Sequence, residues 1–297
     1  MNKTAILLDS TFYMKAEELE KYNFYVVPLT VNFEHISFSE DATDPSQIVE
    51  VFYKIDESKK LPQTSQPSTS EALKIFDKIK SDGYNRVISL HISGALSGTA
   101  QGMKIAAEQY MEENEGLAIE VYDSSAAAQV SAVIAKTIAK VIEKHGDISS
   151  EQVAEIISFV SENTEAYVFV DKLDYLAYGG RIPAAIASVG NLFGISPIIT
   201  LTKEGGLDRY KAERSQKKAI LSIIKLLQER DFSDQDNLIL NGFYTTESKM
   251  AKKMLKECAK VTNAHVIESE SSPMGIVISN HLGPNAFGVY WSKEYKI

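Results

Sequence analysis

Arg86-Val87-Ile88-Ser89-Leu90-His91-Ile92-Ser93-Gly94-Ala95-Leu96-Ser97-Gly98-Thr99 is the stretch that decides the fold. Its first six residues form a short β-prone run of the kind buried in a parallel sheet. The next residues are small, polar and glycine-containing. From Gly98 a helical pattern runs to about Glu112. This is a strand, a polar turn and a helix in succession, the repeating unit of an α/β sheet. The same order recurs on both sides. Residues 4–8 read as a buried strand ending at Asp9-Ser10-Thr11. Residues 118–122 read as another, closed by Asp123-Ser124-Ser125 and followed by a helix to about Lys144. Residues 25–31 are β-rich, with Pro28 as an interruption, and residues 46–55 and 70–81 carry apolar helical faces. Alternation of this kind implies right-handed crossovers, and so a doubly wound, mostly parallel sheet over residues 1–150.

The pattern shifts near residue 148. Ile148-Ser149-Ser150-Glu151 resembles a helix start, with a serine to cap and an acid at the positive end. Beyond it, residues 166–170, 197–201, 238–243, 265–268 and 287–290 are strand candidates. Two amphipathic helices lie among them, one carrying Ile220, Ile223, Ile224 and Leu227, the other Met250, Met254, Leu255 and Cys258. Residues 151–297 therefore read as an α+β domain with helices gathered on one face of an antiparallel or mixed sheet. Short connections predict close packing of the two domains, and the cleft between them is the natural ligand site.

Composition excludes several classes of function. The 297 residues include 31 Lys+Arg and 40 Asp+Glu, a net charge of −9. A chain with no basic surplus lacks the counterion-release term that drives nucleic-acid binding. A hydrophobic fraction of 44% suits a globular protein rather than a disordered one. The single cysteine, Cys258, cannot form an internal disulfide, and its spacing from Met254, Leu255 and Val261 makes it a core residue. Only residues 4–8 separate the N-terminus from Asp9-Ser10, too short an apolar run for a signal peptide. The most apolar helical stretch, residues 126–142, is broken by Gln129, Ser131, Lys136 and Lys140. The expectation is a cytoplasmic protein with no stable membrane insertion.

Chemistry concentrates in the turns after strands, where open α/β sheets bind their ligands. Asp9-Ser10-Thr11, the segment from His91 to Thr99, and Asp123-Ser124-Ser125 all qualify, and Gln63-Thr64-Ser65-Gln66-Pro67-Ser68 precedes a helix. Much of this is ordinary punctuation. Ser68 and Glu71 have capping-box spacing, and the aspartates suit Asx-turns or caps. The Ser97 turn goes further, because its two glycines admit a ligand to the backbone and it opens a helix whose amides favour an anion. A carboxylate and a phosphate both fit. Neither the P-loop nor the dinucleotide glycine pattern is present, since Gly94, Gly98 and Gly102 have the wrong spacing. The nucleophile elbow is absent too, and a Ser97/His281/Asp9 triad draws little support from spacing. The histidines (His35, His91, His145, His265 and His281) are scattered, so no metal site is expected. In the second half, Leu173-Asp174-Tyr175-Leu176 reads as a helix stopping at Gly179-Gly180-Arg181. Pro183 then starts an apolar stretch over residues 184–193, either a core helix or a pocket wall.

Taken in order, these segments resemble the DegV family of bacterial fatty acid-binding proteins. The matching pieces are Asp9-Ser10-Thr11, Thr64-Ser65-Gln66-Pro67-Ser68, and His91-Ile92-Ser93 leading to Leu96-Ser97-Gly98-Thr99. They continue with Asp123-Ser124, Leu173 through Tyr175-Leu176 to Gly179-Gly180-Arg181-Ile182, Pro197-Ile198, and His281-Leu282-Gly283-Pro284 with Gly288. The chain departs from the family pattern at Phe12-Tyr13, at Ser93-Gly94-Ala95, at Ala126-Ala127-Ala128 and at Ser196.

The resemblance implies an α/β domain joined to an α+β domain with one long-chain fatty acid buried between them. It implies no cofactor and no catalysis by the chain alone. The role would be the binding subunit of a two-component fatty acid kinase, presenting the carboxylate to a separate ATP-dependent kinase protein that makes an acyl-phosphate, a step toward phospholipid synthesis. Carried over residue by residue, Thr64 and Ser97 bind the carboxylate with His281 nearby. Asp9, Ser10, Ser65 and Gly98 lie in the head-group vicinity, and Arg181 falls on the partner-docking face. The energetics fit. Burying about 14 methylenes at ~0.8 kcal/mol each yields roughly 11 kcal/mol of gross transfer energy. Hydroxyls and helix amides offset the several kcal/mol that a buried carboxylate costs. Two rivals remain at this level: a serine hydrolase or acyltransferase using Ser97, and a sensor or carrier of another amphiphilic lipid.

Overall fold

In the computed structural model, which describes residues 3–171, 173–182 and 196–297, the stretch from Arg86 to Thr99 is the strand, turn and helix start expected of it. Strands β1 (Thr4–Asp9), β2 (Tyr25–Val27), β6 (Arg86–His91) and β7 (Ala118–Asp123) lie in the order β2-β1-β6-β7, every pair parallel. Alternate residues face opposite sides of a strand. Ala5, Leu7, Val27, Val87 and Ile119 meet Ala72, Phe76 and Ile79 of α3 (Thr69–Ser81) and Met103, Ala106 and Tyr110 of α4 (Thr99–Glu113). The intervening Ile6, Leu8, Ile88 and Leu90 are buried as well, and α5 (Gln129–His145) packs against β1. A sheet buried on both faces is the doubly wound arrangement. The capping box at Ser68 is real: its hydroxyl accepts the Glu71 N–H at 3.2 Å, and the Glu71 carboxylate accepts the Ser68 N–H at 2.7 Å.

A second, mixed sheet holds β8 (Thr164–Phe169), β9 (Ser196–Leu201), β10 (Leu207–Glu213), β11 (Asn237–Tyr244), β12 (His265–Glu268) and β14 (Phe287–Lys293). Their order is β10-β9-β8-β14-β11-β12, with β13 (Ser271–Pro273) also paired to β11. Helices α8 (Gln216–Gln228) and α9 (Ser248–Ala259) bury Ile220, Ile223, Leu227, Met254 and Leu255 on Phe169, Leu240, Phe287, Val289 and Trp291. Cys258 lies in this core, where burial pushes its thiol up to about 12 and leaves it inert as a nucleophile.

The residues cluster into two compact units. One comprises Met1–Asp44 with Pro62–Ser161, the other Pro45–Leu61 with Glu162–Lys296. This differs from the expected division at residue 150 in two respects. Helix α6 (Ser150–Glu162), which starts where the sequence implied, buries Val153, Ile156 and Val160 as part of the first unit. Helix α2 (Ser46–Ser58) packs instead on α10 (Ile276–Leu282) in the second unit, with Ile48, Val51 and Ile55 buried.

Strand β13 and two further sets of strands are additional to the expectation. Residues 25–31 divide at Pro28. Tyr25–Val27 joins the parallel sheet, and β3 (Thr30–Asn32) forms a small antiparallel sheet with β4 (Ser37–Ser39) and β5 (Gln63–Ser65). Strand β10 is an edge strand whose five central residues are all exposed, so it carries no apolar signal. The expectations for Pro183 and residues 184–193 lie outside the described residues. Among the described residues, no helix is long and apolar enough to cross a membrane.

Candidate functional site

The carboxyl ends of β1 and β6 carry a dense, fully buried polar network. Asp9 Oδ1 accepts the Thr11 N–H at 3.0 Å and the Thr11 hydroxyl. Its Oδ2 accepts the Ile92 N–H at 2.8 Å and faces His91 Nδ1 at 3.3 Å. His91 Nε2 in turn meets Ser89 Oγ at 2.7 Å. Ser89, His91 and Asp9 thus stand in line as a hydrolase triad does, but all three have no exposed surface, so no substrate can reach Ser89. The network anchors the base of the Ser97 turn. Ile92 is tied to Asp9, Ser93 N–H donates to the Ala126 carbonyl at 2.8 Å, and the Ser97 N–H donates to the Ser93 carbonyl at 3.0 Å. Gly94 N–H is held by Asp123 Oδ2 at 2.9 Å.

Above that base the turn becomes accessible. Ser97 is half-buried, its hydroxyl 2.8 Å from Thr99 Oγ1, and Gly98 is exposed at the start of α4. Thr99 is not a base, and the Asp9 carboxylate is spent on Thr11, Ile92 and His91. The turn around Ser97 presents hydrogen-bonding hydroxyls at the start of α4. Thr64, also half-buried, sits on β5 opposite Val31 of β3. Ser65 is exposed and accepts from Asn32 Nδ2 at 2.9 Å.

The segment of Thr64 lies against the turn of Ser97. The side-chain amide of Gln66 rests on α4 so closely that a Cβ at Gly98 would fall 2.5 Å from its Oε1, and one at Gly102 2.7 Å from its Nε2. Reading the sequence did not single out Gln66. The available signal was the pair Gly98 and Gly102, one turn apart, which leaves a bare strip on a helix that could otherwise carry side chains there.

Ser10 is wholly buried. Its hydroxyl donates to Glu40 Oε2 at 2.6 Å and accepts the Leu29 N–H at 2.9 Å, which makes it a brace between β1 and the chain leading into β3.

In the second unit, α7 (Asp174–Tyr178) stops at Gly179 as the sequence implied, and the Arg181 guanidinium folds back to donate to the Gly179 carbonyl. Gly179 has to be glycine, because a Cβ there would lie 2.3 Å from Nδ1 of His281 on α10. Burial, reinforced by the charge of Arg181, pushes the His281 imidazole down to about 4. His281 is therefore a neutral ring at physiological pH, able to donate and accept one hydrogen bond each.

A prediction follows from the sign of that shift. The unfolded chain takes up the proton near pH 6.5 and the folded chain only near 4, so lowering the pH through this window favours unfolding. The stabilisation is complete above pH 6.5, falls between 6.5 and 4, and is worth at most about 3 kcal/mol. Urea unfolding at a series of pH values should show this slope reduced in His281→Gln. An identical slope in the variant would refute the assignment. No cluster of three or more His, Cys, Asp or Glu able to hold a metal occurs among the described residues.

Comparison with known proteins matches this architecture throughout. A family model described as DegV, an uncharacterised protein family, matches residues 3–294. A DegV domain-containing protein of Listeria innocua is 30% identical over 295 residues, covering 98% of each chain. A solved structure from Thermotoga maritima, described as revealing a fatty acid binding function, is 27% identical with a TM-score of 0.84 and covers 99% of this chain and 100% of its own. Another, described as fatty acid binding by a DegV family protein of Thermus thermophilus, is 26% identical with a TM-score of 0.85, covering 98% and 100%.

Proposed function

The chain belongs to the DegV family, and on that premise we propose that it binds one long-chain fatty acid and presents the carboxylate to a separate ATP-dependent kinase. The reading is carried by the full-length likeness to solved relatives described as fatty acid-binding. It is supported by a hydroxyl-lined turn at the start of α4 against which the Thr64 segment lies.

Thr64 and Ser97 hold the carboxylate through their hydroxyls, and the amides opening α4 supply further N–H donors. In this reading hydroxyls and amides hold the head group, and its oxygens keep the nucleophilicity that phosphoryl transfer needs. His281, neutral on its own unit, is the third polar group of the reading. Arg181 belongs to the docking of the kinase. The phosphoryl chemistry resides in the partner, and the chain contributes orientation and sequestration of the acid.

Native mass spectrometry of the purified protein, followed by organic extraction, tests the first step. One fatty acid per chain is the expected result. A chain that is empty and takes up no added fatty acid overturns the reading. Thr64→Ala and Ser97→Ala each remove a hydrogen bond to a charged group, worth about 1.5–3 kcal/mol, so each should weaken fatty acid binding by roughly 10- to 100-fold with the fold intact. Titration of a fluorescent fatty acid measures this, and unchanged affinity in both variants would refute the head-group assignment. Covalent labelling of Ser97 by a fluorophosphonate would favour the hydrolase instead.

A further inference from the structure

We infer that Gln66 is a positioning residue for the acid head group, holding the Thr64 segment in register with the Ser97 turn by seating its amide on the bare strip of α4 at Gly98 and Gly102. The inference rests on the proposed function and adds a residue to it. Gln66 follows Thr64 by two residues, and Gly98 follows Ser97 by one. Contact between the Gln66 amide and Gly98 therefore ties the two hydroxyl-bearing segments together at their nearest chain positions. The contact is close on both sides of the amide, with Oε1 toward Gly98 and Nε2 toward Gly102. It exists only because neither glycine has a side chain.

Two other attachments flank this seating. β5 is only three residues long and pairs on one side, with β3. Three residues of ladder are a short anchor, and the Gln66 amide supplies a further point of attachment. Ser68, two residues further on, caps α3. The five-residue run from Thr64 to Ser68 is thereby held at the strand, at the amide and at the cap.

The geometry makes Gly102 the decisive test, because it lies within α4 and outside both hydroxyl-bearing segments. Alanine there improves helix propensity and should raise the melting temperature by about 2 °C. Its methyl group occupies the space of the Gln66 Nε2, which is the free end of a flexible side chain and can swing out without disturbing the fold. Gly102→Ala should therefore weaken binding of palmitate about tenfold while stability holds or rises. Gln66→Ala should do the same, and the double variant should be no worse than Gln66→Ala alone.

Binding of hexadecanol, which has the chain but no carboxylate, should change less than twofold in all three. A merely structural role would lower stability and the affinities for acid and alcohol together. Wild-type palmitate affinity in Gly102→Ala, or equal losses for acid and alcohol, would overturn the inference. Thr64→Ala separates the two levels of argument. If it too binds palmitate normally, the head-group reading itself has failed. If it loses affinity while Gly102→Ala does not, only the role of Gln66 falls.

Discussion

Gly288→Ala is expected to leave the second unit unable to reach its native packing. Gly288 sits in β14, which is hydrogen-bonded to β8 on one side and β11 on the other, opposite Val168 and Phe243. A Cβ at this position would lie 2.2 Å from the Tyr167 carbonyl oxygen, with two atoms of the Phe243 ring at 2.3 and 2.5 Å. Carbon–carbon contacts are comfortable only at about 3.5–4.0 Å. The carbonyl is backbone of the neighbouring strand and cannot yield without breaking the ladder. Overpacking usually costs about 1–3 kcal/mol, and a clash with backbone inside a sheet should exceed that range. Against a typical total of about 5–15 kcal/mol, the loss is a large share. Urea denaturation followed by Trp291 fluorescence should show a much lower midpoint, or no folded baseline at all. A wild-type midpoint would contradict the close approach described.

Arg86→Met is expected to cost the first unit about 2–4 kcal/mol. The guanidinium is buried. It donates to Glu120 Oε1 at 2.7 Å and Oε2 at 3.2 Å, to Asp147 Oδ1 at 2.9 Å, and to the Ile148 carbonyl. Thr4 and Ser150 hydroxyls complete the cluster through Asp147 and Glu120. One side chain therefore joins β6 and β7 to the residues between α5 and α6. Removing a buried ion's partner typically costs 3–5 kcal/mol, and the estimate of about 2–4 is lower because both carboxylates are part-exposed.

The same cluster sets an acid limit. Burial pushes the Glu120 carboxyl up, but hydrogen bonds from Arg86, Ser150 and Tyr122 outweigh that and bring it down to about 2. Its folded value lies below its unfolded one, so its stabilisation is whole above pH 4.5 and is lost as the pH falls toward 2. This window lies below that of His281. Acid unfolding of the wild type should therefore show two successive losses, with Arg86→Met removing most of the lower one. A wild-type acid limb in that variant would contradict the assignment.

Much of the architecture was legible in residue patterns. Arg86–His91, Thr4–Asp9 and Ala118–Asp123 are strands because short β-prone runs end in polar turns, and the first two are buried on both sheet faces. The helices of the second unit were legible because Ile220, Ile223 and Leu227, or Met254, Leu255 and Cys258, repeat at the helical period. The three-residue strands β3, β4 and β5 were not, because a run that short has no period to read. Strand β10 was not, because an edge strand with both faces wet shows no apolar alternation along its exposed central residues.

At the candidate site the division is similar. Thr64, Ser97 and His281 are proposed from ordered motifs, whereas the use made of Asp9 and Ser10 depends on partners 19 to 83 residues away, Leu29, Glu40, His91 and Ile92. By itself the sequence determined the alternation of strands and helices and the polar turns at strand ends, where the residues proposed to bind an acid lie. Periodicity, capping and turn chemistry act over a few neighbouring residues. Only the tertiary structure decided that Asp9 and His91 face inward, that α2 packs with the second unit, and that Gln66 lies on Gly98 and Gly102. Each of these depends on which distant surfaces meet, and no local preference encodes that.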